Sequence, residues 1–120
     1  MNLLRDGNKM KYLNTYKVPK IVDMKDITYE QFMNEKKKVN IWEPHPYANH
    51  SGVYFLMNKN KVVYIGTTTK LAQNIKSHKL DKEFDHFKFL QEDDKTERQI
   101  LKIIYANKYQ PKYNTKVRYG

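Results

Sequence analysis

Gly52-Val53-Tyr54-Phe55-Leu56-Met57-Asn58-Lys59-Asn60-Lys61-Val62-Val63-Tyr64-Ile65-Gly66 is the stretch that decides the fold. Two apolar runs, Val53 to Met57 and Val62 to Ile65, flank the polar Asn58-Lys59-Asn60-Lys61. Such runs around an asparagine-rich break read as a β-hairpin. The hairpin carries two tyrosines at related positions, Tyr54 and Tyr64, and two glycines, Gly52 and Gly66, that read as backbone requirements. The tyrosines read equally as packing anchors or as ligand contacts.

Downstream, Leu71, Ile75 and His78 or Lys79 share one face of a helix from about Thr69 to Lys79. Leu80 to Asp85 reads as a loop, and His86-Phe87-Lys88-Phe89-Leu90 alternates as a third strand. Glu92-Asp93-Asp94 precedes a second helix from about Thr96 to Tyr109, where acids suit the positive end of the dipole. Ile100, Ile103 and Ile104 form its expected core face, with Leu101 beside it, and Pro111 ends it. The expected fold is α+β: a small three-stranded antiparallel sheet with flanking helices, in the order β-β-α-β-α.

Upstream, residues 1–25 are polar and irregular, with Val18 to Val22 as a short extended piece. Thr28 and Gln31 have capping-box spacing, and Ile27 with Phe32 has hydrophobic-staple spacing. They predict a helix from about Tyr29 to Lys38, closed by Lys36-Lys37-Lys38. Pro44 and Pro46 mark a non-helical linker. The chain divides into an N-terminal extension with one helix, 1–51, and a domain, 52–120.

At 120 residues and 39% hydrophobic content the chain can bury one core. No apolar run approaches the ~20 residues of a membrane span, and no apolar stretch follows Met1-Asn2-Leu3-Leu4-Arg5 as a signal peptide would need. The absence of cysteine excludes disulfides and thiolate chemistry and fits a cytoplasmic location. His45, His50 and His86 lack metal-ligand spacing. Formal net charge is +10, with nine Lys/Arg against six Asp/Glu in residues 1–51 and fourteen against seven in 52–120. That excess suits a polyanion, or a solvated basic surface, or an acidic protein.

The two triplets Gly52-Val53-Tyr54 and Tyr64-Ile65-Gly66, the following helix and the terminal Pro111-Lys112-Tyr113-Asn114 together resemble the GIY-YIG nuclease family over roughly Gly52 to Asn114. The resemblance implies a phosphodiesterase with one divalent metal, in which a tyrosine-linked water attacks, an arginine steadies the phosphate and a glutamate holds the metal. It assigns the family positions to Tyr54, Tyr64, Asn74, His78, Lys102 and Asn114. The arginine is due eight residues after Gly66, where this chain has Asn74. The glutamate is due about nine residues before Pro111, where it has Lys102. Asn74 lacks arginine's charge and bidentate fork, and a lysine repels a divalent cation. Glu97, five residues earlier on the helix, points elsewhere.

The reading is therefore of a catalytically inactive GIY-YIG-like protein, with no metal and no cofactor, that binds nucleic acid, DNA ahead of RNA. The expected contacts are Tyr54, Tyr64, Lys70, Lys76, His78, Arg98 and Lys102, with Arg98 and Lys102 one helical turn apart as an anion-binding pair. Asn114 reads as a brace for the chain end and His78 as a helix-surface histidine. Two alternatives stay open. One is a phage or mobile-element inhibitor or adaptor that binds a nucleic-acid enzyme of host defence. The other is an active endonuclease with relocated catalytic groups.

Overall fold

Strands β4 (Gly52–Asn58) and β5 (Lys61–Thr68) form the expected hairpin, paired antiparallel from Gly52↔Thr68 to Asn58↔Lys61. The computed structural model describes residues 11–12, 17–34, 37–38 and 41–115. Lys59 and Asn60 make the two-residue turn, with φ of 51° and 67°. Positive φ at both positions gives the turn hand that matches strand twist, and asparagine accepts it readily. The Lys59 amide also donates to Asp85 Oδ2 at 3.2 Å, which holds the turn to the loop before the next strand.

The register slips once. Leu56 pairs with Tyr64 and Met57 with Val62, so Val63 is the extra residue of a bulge. Strand β6 (His86–Gln91) pairs antiparallel with the other edge of β4. Beyond it, β1 (Ile27–Thr28) pairs with β6 through Ile27↔Phe87. The sheet order is β1-β6-β4-β5. The three expected strands are present, and the N-terminal extension adds a fourth.

Both faces of this sheet are covered, which is why Val53 to Met57 is apolar without alternation. Tyr54, Leu56, Val63 and Phe87 point to one core, with Leu71 and Ile75 of α2 (Leu71–His78) and with Ile27, Phe32 and Phe84. Val53, Phe55, Met57 and Ile65 point to the other, with Ile21 and with Leu101 and Tyr105 of α3 (Lys95–Tyr109). Gly52 lacks room for a side chain: a Cβ would strike the Leu90 carbonyl and the Phe89 ring. Neither Gly52 nor Gly66 has positive φ, so the missing Cβ is what the fold uses there, rather than glycine's backbone freedom.

The Thr28–Gln31 capping box is present: Gln31 N–H donates to Thr28 Oγ1 and Thr28 N–H to Gln31 Oε1. The helix it starts, α1 (Tyr29–Met33), stops well short of Lys38. After Met33 the next core-facing positions would be lysines, so further turns have no apolar face to bury. Lys37–Lys38 instead form β2, paired with β3 (Ile41–Trp42); Lys36 lies outside the described residues. The expected extended piece at Val18 to Val22 gives way to a 3₁₀ turn at Ile21–Asp23. Lys88 ties this segment down, donating to the Met24 carbonyl and lying 2.6 Å from Asp26.

On α3 the expected core face is wrong. Ile103 is 63% exposed, while Glu97, Arg98, Leu101 and Tyr105 are buried. Tyr105 packs edge-on against Phe55 and its hydroxyl donates to the Pro19 carbonyl. At ~100° per residue, turning 101 and 105 to the sheet sends 103 to solvent. The helix starts at the Asp94 cap, whose Oδ2 accepts the Glu97 amide at 2.8 Å. A short helix, α4 (Lys112–Thr115), follows Pro111. No described helix is long and apolar enough to cross a membrane.

Candidate nucleic-acid site

Tyr54 and Gly66 are paired across β4 and β5. A Cβ on Gly66 would lie 2.5 Å from the Tyr54 hydroxyl, 2.6 Å from Tyr54 Cζ and 2.9 Å from Tyr64 Cε2. The bare glycine therefore lets the Tyr54 ring lie across β5. There the Tyr54 hydroxyl and Nε2 of His78, the last residue of α2, share a 2.6 Å hydrogen bond. Tyr64 completes a three-ring group, with ring centroids 6.0 Å from Tyr54 and 4.7 Å from His78. Tyr54 is buried; Tyr64 and His78 are half-buried and open to solvent on one side.

Burial sets the electrostatics. It pushes the Tyr54 hydroxyl far above the ordinary phenol range, with Tyr64 adding to the shift. Burial raises Tyr64 too; the Tyr54 hydroxyl pulls it back and Asp81 pushes it up. Burial lowers His78, the Lys82 ammonium lowers it further, and Asp81 opposes both. At neutral pH the group is two protonated tyrosines on a neutral imidazole.

Asn114 braces this edge. Its Oδ1 accepts the Ile65 amide at 2.8 Å and its Nδ2 donates to the Ile65 carbonyl at 3.0 Å. The side-chain amide thus takes the place of a neighbouring strand on the outer edge of β5. Asn74 is also committed. Its Oδ1 accepts the Thr68 hydroxyl, and Thr68 Oγ1 accepts the Lys70 amide at 2.9 Å, knitting the turn between β5 and α2. The side chains of Lys70 and Lys76 are exposed. Lys102 is half-buried on α3, with no polar partner among the described residues.

Arg98 requires a correction. It is 7% exposed, and its Nη1 donates to the carbonyls of Glu92 at 3.1 Å and Asp93 at 2.9 Å. The guanidinium clamps the chain before α3 and cannot pair with Lys102 on an anion. The same rotation buries Glu97, whose two carboxylate oxygens accept the amides of Lys11 at 3.0 Å and Tyr12 at 3.2 Å. Among the described residues no group of three or more His, Asp and Glu side chains could hold a cation.

One residue escaped the sequence reading. Lys82, in the loop after α2, places its Nζ 5.0 Å from the Tyr64 ring centroid and 5.7 Å from that of Tyr113. Nothing in the sequence distinguishes it from the other loop lysines.

A family model described as the GIY-YIG catalytic domain matches residues 50–116. The chain belongs to the GIY-YIG family. The UvrABC system protein C of Mycoplasma capricolum subsp. capricolum is 33% identical over 93 residues, 68% of this chain and 15% of that protein's length. The GIY-YIG N-terminal endonuclease domain of UvrC from Thermotoga maritima matches with TM-score 0.50. One structure, a tyrosine-to-phenylalanine mutant bound to its catalytic divalent cation, is 27% identical and covers 57% of this chain and 86% of that one. A second, bound to magnesium, is 26% identical with the same TM-score and coverage. The chain therefore spans most of a GIY-YIG domain and a small part of a full-length UvrC protein.

Proposed function

We propose that this is a GIY-YIG domain that binds nucleic acid and does not cleave it. The observation that carries the reading is a split in the site. The aromatic group Tyr54–Tyr64–His78 is built and braced, whereas the positions due to hold the phosphate clamp and the metal ligand carry Asn74 and Lys102. Asn74 is neutral and tied to Thr68. Lys102 brings a positive charge where a divalent cation needs a carboxylate. Glu97, the nearest acid on the same helix, already caps two backbone amides. The residues present do not fit a divalent cation.

The chain's own groups suit binding. Tyr54 keeps its proton at neutral pH and orients His78, which leaves the half-exposed Tyr64 ring and the surrounding lysines as a basic, aromatic surface. The N-terminal extension packs on the same core as Tyr54 through Ile27 and Phe32 and reaches α2, where the Ala72 amide donates to the Ala48 carbonyl, while Tyr64 and His78 stay half-exposed.

Titration of labelled DNA and RNA at several salt concentrations tests the reading. Binding should weaken with a log–log slope of ~0.7–0.9 per phosphate contacted. Negligible affinity for both at physiological salt, with nuclease-resistant capture of a single protein from lysate, would replace this reading with that of an inhibitor or adaptor.

A further inference from the structure

We propose that Lys82 seats a phosphate group of the bound strand beside Tyr64, supplying the cation of the tyrosine site. The inference rests on the nucleic-acid reading above and names the residue on which that surface is anchored.

The ammonium is placed rather than free to wander. The Lys82 side chain is only 15% exposed. The loop that carries it is pinned at both sides: Phe84 is buried, Lys79 Nζ donates to the Phe84 carbonyl at 2.8 Å, and the Glu83 amide donates to the Tyr113 hydroxyl at 3.1 Å. The faces of Tyr64 and Tyr113 hold the charge between them. A cation fixed in this way loses little freedom on binding an anion.

Its hydrogen-bonding capacity is mostly unspent. An ammonium has three donors, and among the described residues Lys82 has one acceptor, Asp81 Oδ1 at 3.3 Å. Asp81 is 71% exposed, so its carboxylate can swing into water when a phosphate arrives. The other nearby cations differ. Lys79 is engaged with the Phe84 carbonyl and the Tyr29 and Phe84 rings. Lys112 lies 5.0 Å from the centroid of the Tyr113 ring, so two ammonium groups converge on that tyrosine. Lysines interleaved with half-exposed tyrosines are the surface that tracks a nucleic-acid backbone.

The test compares the full chain with Lys82→Met, Lys82→Arg and Asp81→Asn, titrating single-stranded and duplex oligonucleotides over a range of salt. Lys82→Met should bind about ten- to a hundredfold more weakly. Its log–log salt slope should fall by ~0.7–0.9, the share of one phosphate. Lys82→Arg should keep both, and Asp81→Asn should bind more tightly than the parent. Circular dichroism checks the fold, and if Lys82→Met does not fold, Asp81→Asn carries the test alone. Unchanged affinity and slope in Lys82→Met, or no tightening in Asp81→Asn, overturns the proposal and leaves nucleic-acid binding standing. A parent chain that binds no strand overturns both.

Discussion

Tyr54 lies across Gly66 on the neighbouring strand, so closely that a methyl group on Gly66 would stand 2.5 Å from the Tyr54 hydroxyl. The second triplet's glycine is thus part of the same device as the first triplet's tyrosine. Gly66→Ala should cost about 1–3 kcal/mol, the usual range for overpacking a core. In a Tyr54→Leu background the same change should cost less, because the ring that collides is gone. Urea denaturation of the four proteins in that cycle measures the coupling; equal cost in both backgrounds would contradict it.

Asn114 should matter to stability through Ile65. Asn114→Ala removes both hydrogen bonds and leaves the Ile65 amide and carbonyl without those partners. The expected loss is about 1–3 kcal/mol. Asn114→Asp should lose at least as much, because a carboxylate then faces the Ile65 carbonyl. Denaturant midpoints check this, and an Asn114→Ala protein as stable as the parent would refute the brace.

Arg98 should behave as a structural residue. Arg98→Met leaves the carbonyls of Glu92 and Asp93 without their donor. It should destabilise the fold by about 1–3 kcal/mol and leave the salt slope of nucleic-acid binding unchanged. A slope reduced by about one phosphate would return Arg98 to the binding surface.

His78 makes stability depend on pH. Its pKa is lower in the folded chain than in the unfolded one, chiefly through burial. The unfolded state therefore binds the proton more readily. The contribution is fully present above the unfolded value, about 6.5, and is lost as pH falls through the lowered folded value. Denaturation from pH 8 to 5 should show stability falling on the acid side, with a shallower fall in His78→Gln. Identical profiles for the two proteins would remove His78 as the cause.

The parts legible in the sequence are those decided by local chemistry. Asn60 in the hairpin turn, the Thr28–Gln31 box and Pro111 each act through their own backbone neighbourhood, and each is where the residues placed it. The face of α3 was not legible. Ile100, Ile103 and Ile104 fit a helical stripe as well as Leu101 and Tyr105 do. Distant partners decide between them: Phe55 under Tyr105 and the Pro19 carbonyl beyond it. The end of α1 depended on the lack of apolar residues after Met33, which a cap and a lysine run do not reveal. In the site, the family resemblance singled out the tyrosines, His78 and Asn114, but His78 read as a helix-surface histidine and is instead half-buried and hydrogen-bonded to Tyr54. Lys82 was not legible, because a loop lysine carries no periodic signal and the rings that hold it, Tyr64 and Tyr113, come from outside its own segment.

Restoring hydrolysis should need two changes together. Asn74→Arg supplies a phosphate clamp and gives up the bond to Thr68; Lys102→Glu supplies a carboxylate without the clamp. Groups that act as a unit are strongly non-additive. Robust metal-dependent cleavage by either single variant would show that these positions are misassigned.

The most direct measurement is cleavage itself. The chain is incubated with supercoiled plasmid, single-stranded DNA and RNA, with Mg²⁺ or Mn²⁺ and in parallel with EDTA. Loss of one transition-state charge contact alone costs ~10²–10³ in rate, and on the proposed reading the metal ligand is replaced as well. The account predicts binding without cleavage above the EDTA control for every substrate. Metal-dependent cleavage that disappears in Tyr64→Phe would contradict it.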